Sequence, residues 1–413
     1  MSNDRSLDIV VFGATGFTGG LVAEYLAAHG AREGLRWALA GRDRDKLAAV
    51  RARLPSGGHE PELILAEASD AGALKRLAER TRVVLTTVGP YIRYGEPLVA
   101  ACAAAGTHYV DLTGEPPFVA LTRARHHQTA QKNRAKIVHA CGFDSVPHDL
   151  GAWFTLNALR RRMSDRERAE SAVTIEGIVR TKGTISGGTW HSALEIMASR
   201  GKGEKETANS AATPGREIHG LPPRVRYRKE LGLWTVPMPT IDPLMVLASA
   251  RLLPEYGPDF KYGHYLGVRN FPQVAGLFWG IGTVAALAQL KPTRSLLEKL
   301  KMPGEGPDPE TRAKSWFRVL FEARAGAHHV RCEVRGGDPG YGETSKMIAE
   351  CALTLARDAD RLPAHFGIVP PAAALGAPLV ERLTRAGLVF EELDADASPS
   401  RARREAGLQT DAR

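Results

Sequence analysis

The stretch 7-LDIVVFGATGFTGGLVAEYL-26 decides the fold. Leu7–Phe12 is an apolar run of strand length, and Phe17–His29 carries Leu21, Val22, Tyr25 and Leu26 on one helical face. Between them lies a turn with glycines at 13, 16 and 19. In such a turn the first glycine permits the tight bend, the second lets the backbone approach a pyrophosphate, and the third lets the helix lie close to the sheet. The pyrophosphate then rests on unpaired N–H groups at the positive end of the helix. Gly13, Ala14, Thr15, Gly16, Phe17, Thr18 and Gly19 are therefore expected to bind a dinucleotide. A glycine motif alone is weak evidence, but the strand before it and the helix after it supply the required context.

The same rhythm continues outward. Arg36–Ala40, Glu62–Ala66, Arg82–Thr87, His108–Leu112 and Lys136–Ala140 read as buried strands. Arg44–Arg53, Ala71–Glu79, Pro97–Ala105 and Phe118–Asn133 read as the helices between them. Alternation of this kind predicts an α/β fold, a Rossmann-type doubly wound parallel sheet over residues 1–146. Beyond Pro147 the pattern changes: Ala172–Arg180 and Ala327–Arg335 alternate like half-exposed antiparallel strands. Ser199–Arg216 is polar and Gly-rich and reads as a loop, Ser345–Arg357 and Ala377–Ala386 return to helix, and residues 394–413 read as a disordered tail.

The end of the second strand selects the cofactor. An acidic residue there would bind both ribose hydroxyls of NAD. Here the strand ends Leu39-Ala40-Gly41-Arg42-Asp43-Arg44, with Lys46 one turn on. Arg42 is placed to pair bidentately with a 2′-phosphate, with Lys46 beside it, and Asp43 is expected to cap the following helix. The expected cofactor is NADP(H). Because ligands of this architecture lie beyond the carboxyl ends of the strands, Thr87, Val88, Gly89 and Pro90 are expected along the nicotinamide ribose. Tyr91 is a proton donor, a wall packed on the nicotinamide ring, or a buried tyrosine with a satisfied hydroxyl.

At 413 residues, 43% hydrophobic and 24% charged, the chain has the composition of an ordinary α/β protein with room for two cores. A formal charge of +9 attracts phosphorylated cofactors, anionic lipid or an acidic carrier protein, and no motif for reading nucleic acid accompanies it. The four cysteines, Cys102, Cys141, Cys332 and Cys351, form no CxxC pair, so neither a zinc site nor a disulfide framework is expected. The N-terminus shows no signal peptide, which suits a reducing cytoplasm.

Taken together, Gly13–Gly19, Ala40-Gly41-Arg42-Asp43-Arg44-Asp45-Lys46-Leu47, Thr86–Tyr91, His108–Glu115 and Cys141–Gly151 resemble the saccharopine dehydrogenase-like oxidoreductases. Ser186-Gly187-Gly188-Thr189, Gly337–Tyr341 and Ile368–Gly376 bring the match closer to the trans-acting enoyl reductase branch. The resemblance spans residues 8–393. It implies a second α/β (α+β) domain inserted over 147–340, with helices of 341–393 returning to the Rossmann domain. It also implies reduction of an enoyl thioester during complex-lipid (glycolipid) assembly on a polyketide synthase; eukaryotic relatives associate with membranes or lipid droplets.

Reducing an enoyl thioester requires a donor to the developing enolate oxygen and a proton for the α-carbon. Tyr91, His148 and His191 are the titratable candidates near motif segments. Asp111 and Glu115 follow the fifth strand at the cofactor end, and Asp144 is expected to orient its loop through backbone N–H groups. Gly187-Gly188-Thr189 is either a close approach to nicotinamide or substrate, or a hairpin turn. The pairs His126-His127 and His328-His329 are expected at the surface, since sequence neighbours point apart.

Residues 270–290 contain no charge, and Val274–Ala288 is almost wholly apolar. This run falls short of the about 20 residues a spanning helix needs. It reads as a core helix, an acyl-binding wall or a hairpin dipping into a membrane surface. Lys291, Arg294, Lys299 and Lys301 follow it and suit anionic lipid or an acyl-carrier partner, giving peripheral contact through 270–301 at the inner face of the plasma membrane. A homodimer is compatible with the sequence, which does not fix the oligomeric state. Two other readings stand beside the lipid-linked reductase: a saccharopine-type amino-acid oxidoreductase, and a non-catalytic NADP-binding protein of lipid surfaces.

Overall fold

The computed structural model describes residues 5–30, 33–56, 59–183, 215–289, 293–294, 296–297 and 306–394. Strands and helices alternate from the start: β1 (Leu7–Phe12), α1 (Phe17–Gly30), β2 (Trp37–Gly41), α2 (Arg44–Arg51), β3 (Glu62–Leu65), α3 (Ala71–Arg80), β4 (Thr81–Thr86), α4 (Tyr91–Tyr94), α5 (Glu96–Ala105), β5 (His108–Val110), α6 (Pro116–Lys132) and β6 (Lys136–Val138). Every strand and helix expected here is present with its ends within two residues; the short α4 was not foreseen. Val11, Val83, Val110 and Val138 belong to the core on one face of the sheet, whereas Val10, Val84, Tyr109 and Ile137 belong to the core on the other. Both faces are therefore dry, which is why these strands read as continuous apolar runs rather than as alternations.

The second half contains α7 (Val146–Arg160), α8 (Asp165–Glu170), β7 (Ala172–Lys182), β8 (Glu217–Gly220), β9 (Arg226–Arg228), β10 (Leu233–Pro237), α9 (Asp242–Leu252), β11 (Asp259–Val268), α10 (Phe271–Ala288), α11 (Pro309–Ala313), β12 (Trp316–Ala325) and β13 (His328–Gly336). The chain then forms α12 (Gly342–Arg357), β14 (Gly367–Ile368), α13 (Pro371–Arg385) and β15 (Val389–Leu393). The first sheet is fully parallel in the order β14-β6-β5-β4-β1-β2-β3, so the returning chain adds a seventh strand that its two residues did not announce. The second sheet runs β15-β13-β12-β7-β11-β10-β9, with β8 also on β11; the pairs of β11 with β7 and β8 are parallel and the others antiparallel.

One apolar core joins the two sheets. It passes from Val11 and Leu85 through Met347, Ile348 and Cys351 of α12 and Leu156 and Leu159 of α7 to Phe321 and Val334 of the second sheet. The expectation of a half-exposed strand near 327–335 is corrected: the centre of β13 is buried. Its polar members, Arg331 and Glu333, are accommodated because Arg331 pairs with Glu322 at 2.8 Å and Glu333 with Arg335 at 2.9 Å.

The apolar run forms α10, and its surroundings overturn the core-helix reading. Among its residues only Val274 and Ala288 are buried, while Phe271, Phe278, Trp279, Ile281 and Leu287 are exposed. Ser186–Thr189, His191, most of Ser199–Arg216, Lys291, Lys299, Lys301 and residues 395–413 lie outside the described residues.

Candidate active site at the carboxyl edge of the parallel sheet

Because the strands of the first sheet are parallel, the loops after β1, β4, β5 and β6 emerge on one edge. The glycine turn follows β1. Gly13 adopts φ +92°, a left-handed conformation that side chains resist, and its N–H donates to Ala40 O at 2.9 Å. Gly19 is the tight contact: a Cβ there would lie 2.2 Å from Gly13 O and 2.9 Å from Ala14 Cα. Thr15 and Gly16 are exposed. The amides of Phe17 and Thr18 begin α1 and so have no acceptor within the helix. This is a cradle with room for a pyrophosphate and no room for a side chain behind it, and it fits the expected cofactor.

The β4 loop lies against the turn, where Thr87 Oγ1 donates to Gly13 O at 3.2 Å and Val88 packs at the position a Gly13 side chain would need. At the end of β2, Asp43 caps α2 by accepting from Lys46 N at 3.0 Å, which leaves its carboxylate engaged with its own helix. Lys46 Nζ is 3.6 Å from Asp43, and Arg42 is exposed with no hydrogen-bonding or ionic partner among the described residues. A guanidinium so placed suits a 2′-phosphate. Arg42→Ala is expected to weaken NADPH binding roughly 10- to 100-fold, as for a lost charge-assisted bond, and to leave NADH affinity unchanged. Parallel fluorescence titrations measure both; an equal loss for both cofactors removes Arg42 from the phosphate site.

Phe17 serves the turn through its backbone, since its ring packs edge-on against Tyr341 at 4.9 Å. Gly306 also lies against that ring, and Arg312 holds its guanidinium 6.0 Å from the ring centroid. Arg312 thus stands over the Phe17 ring from almost 300 residues away in sequence. No local pattern marked it.

Tyr91 is buried. Its hydroxyl donates to Thr86 O at 3.3 Å and accepts from Leu112 N at 3.1 Å, and burial pushes its ionisation well above the ordinary tyrosine range. Of the three alternatives posed by the sequence, the satisfied buried hydroxyl describes this geometry. Glu115 holds the same loop, accepting from Tyr91 N at 3.0 Å and Ile92 N at 2.8 Å. Asp111 performs the anchoring expected of Asp144. It accepts from Thr113 N, Ala140 N, Tyr109 OH and His139 Nδ1 at 2.7–3.1 Å. Asp144 instead makes no hydrogen bond among the described residues, and burial raises its carboxyl.

His148, in the first turn of α7, is 1% exposed. Its Nε2 lies 3.3 Å from Asp242 Oδ1, at the start of α9, and its ring meets His264 of β11 edge-on at 4.8 Å. His264 Nε2 lies 3.5 Å from Asp242 Oδ2, and its Nδ1 is 3.2 Å from Tyr262 OH. Burial, then His264, push the His148 imidazole well below its ordinary value, and burial lowers His264 to about 3. Burial raises Asp242 well above the carboxylate range, with the nearby Asp144 charge adding to the effect. The cluster is therefore one carboxyl between two imidazoles whose burial disfavours charge on each, beside the β6 loop through Phe143, which packs on His148. His148 was visible from sequence; Asp242 and His264 were not, because each lies in an unremarkable helix start or strand and only the tertiary fold joins them.

The pairs taken for surface histidines are half-buried and bonded. His126 contacts Glu96 at 2.7 Å, His127 accepts from Ile368 N of β14 at 3.0 Å, and His328 contacts Glu167 at 3.0 Å.

Comparison with known proteins agrees with this arrangement. Residues 9–140 match the saccharopine dehydrogenase NADP binding domain. The chain is 35% identical to the trans-acting enoyl reductase of Mycobacterium bovis, covering 94% of this chain and 98% of that one. It is 34% identical to the trans-acting enoyl reductase of Mycobacterium leprae, covering 94% and 99%. The structure of apo saccharopine dehydrogenase (L-Glu forming) from Saccharomyces cerevisiae shares the fold, with a TM-score of 0.53 at 14% identity over 94% of this chain and 100% of that one. The chain thus belongs to the trans-acting enoyl reductase family of saccharopine dehydrogenase-like proteins and is an NADP-dependent oxidoreductase.

Proposed function

We propose that this chain reduces the enoyl double bond of a lipid-like acyl thioester, presented in trans by an acyl-carrier or polyketide synthase partner, during assembly of a complex lipid. The observation that carries this reading is the likeness to trans-acting enoyl reductases over 94% of the chain. Bound on the glycine turn, NADPH supplies the hydride. The protein's own contribution is placement: Gly13–Gly19 and Arg42 hold the phosphates, and Thr87–Pro90 borders the ribose. The loops fixed by Asp111 and Glu115 wall the edge where the acyl group must lie.

The amino-acid reading needs cations free to grip carboxylates on the second sheet. Arg226 and Arg228 are paired with Glu176, Arg228 and Arg331 with Glu322, and Arg335 with Glu333. These cations are neutralised within the sheet, which favours an acyl substrate. Incubation with enoyl thioesters of increasing chain length is expected to consume NADPH. Turnover that instead requires glutamate and lysine, or NADPH binding with no acyl turnover at all, would sink the reading.

Helix α10 supports a second proposal, contact with a lipid surface. The helix is longer than its most apolar stretch suggested: at 18 residues it is, among the described residues, the one helix long and apolar enough by length and composition to cross a bilayer. Trp279 is 80% exposed, and Phe278 beside it is also uncovered. An interfacial helix ordinarily keeps a polar face, whereas a helix apolar all round requires cover. Arg269 and Arg294 flank it in sequence, where anionic headgroups would sit. The protein is expected to float with anionic vesicles, and the double change Phe278→Glu and Trp279→Glu to release it. Failure of the unmodified protein to float ends this proposal, and a soluble dimer that the same change dissociates would make α10 a subunit interface instead.

A further inference from the structure

We propose that His148, Asp242 and His264 form a binding site for one divalent transition-metal ion of the zinc class. Two imidazoles and one carboxylate are a donor set that such ions accept, leaving a coordination position open. One ligand atom from each residue lies within 4.8 Å of the others. Nε2 of His148 stands 3.3 Å from Asp242 Oδ1 and Nε2 of His264 stands 3.5 Å from Oδ2. Tetrahedral bonds of about 2.0–2.1 Å set neighbouring ligand atoms about 3.3 Å apart, so each imidazole stands from the carboxylate at about the spacing of two ligands on a common centre. It is long for hydrogen bonds, and Asp242 Oδ1 and His264 Nε2 have no hydrogen-bond partner although both atoms are buried. Buried polar atoms converging on one point without partners are what a cation would satisfy.

The surroundings hold the set in place. His264 Nδ1 is engaged by Tyr262 OH, which turns Nε2 toward the carboxylate, and Thr240 Oγ1 donates to Asp242. The three residues come from α7, α9 and β11, and α9 packs on both of the others. An ion there would tie α7, which follows the first sheet, to α9 and β11 of the second. The sequence predicted no metal site because its rules look for ligands at short spacing, and these are scattered over more than 100 residues. The proposal is independent of the acyl substrate.

Protein purified after growth with added zinc is expected to carry about one equivalent of metal by mass spectrometry. After chelation, added Co²⁺ is expected to introduce a visible d–d absorption that d¹⁰ zinc lacks. Asp242→Asn and His264→Gln should abolish the metal and the absorption while the glycine turn still binds NADPH. Should both variants unfold, the unmodified protein decides alone. Folded, NADPH-binding protein with metal at background after zinc growth, and with no absorption in Co²⁺, overturns the site. So does full metal retention in folded variants.

Discussion

Gly19→Ala is expected to weaken NADPH binding about 100-fold. The new methyl group would stand 2.2 Å from Gly13 O and 2.9 Å from Ala14 Cα. Both obstacles are backbone, so no rotamer change relieves the clash. Helix α1 must move off the turn, or the turn must open. Either movement misaligns the amides that meet the pyrophosphate, and a hydrogen bond to a charged group contributes about 1.5–3 kcal/mol. Loss of one to two such bonds corresponds to roughly 100-fold in affinity. The same crowding is expected to cost about 1–3 kcal/mol of stability, the usual penalty for overpacking. Calorimetric titration with NADPH and a denaturant melt read the two effects separately. Unchanged affinity in a folded variant would show that the cofactor does not rest on this turn.

Asp111→Ala should be the most destabilising single change in the parallel sheet, at about 4 kcal/mol. The carboxylate is fully buried and accepts from Tyr109 OH, His139 Nδ1, Thr113 N and Ala140 N. Truncation leaves four buried donors without an acceptor, each costing about 1–3 kcal/mol before relaxation. One of them is strained already. Ala140 sits at φ +58°, a conformation that L-residues other than Gly, Asn and Asp avoid, and its N–H is the one that Asp111 Oδ1 holds. The loops after β5 and β6 are therefore pinned to each other through this carboxylate. Asp111→Asn keeps the shape and one carbonyl acceptor and is expected to lose about half as much. Chemical denaturation of the three proteins measures the series. If Asp111→Ala lies within 1 kcal/mol of the parent, an order of magnitude that surface changes reach, the anchoring role is wrong.

The two changes differ in how far sequence reveals them. Gly19 was legible because the glycine spacing, the preceding strand and the following helix lie within about 20 residues, and each is a local signal. Asp43 as a helix cap was legible for the same reason. Asp111 was seen only as a carboxylate at the right edge; that it, and not Asp144, holds the loops depended on the distance from β5 to β6. Tyr91 shows the limit most plainly. A tyrosine after a TTVGP turn suits proton donation as well as packing, and only the positions of Thr86 O and Leu112 N settle where its hydroxyl is spent.

What the sequence by itself determined is the parallel sheet, the glycine turn between β1 and α1, NADP(H) as the cofactor and the family. Period-2 and period-3.6 patterns and short turn motifs carry that information within one or two elements. The tertiary structure alone decided three other things. It left α10 uncovered, placed Arg312 over Phe17, and drew His148, Asp242 and His264 to one buried point. Burial and long-range contact depend on how whole elements pack, and no local pattern in a chain records which distant side chains will share a pocket.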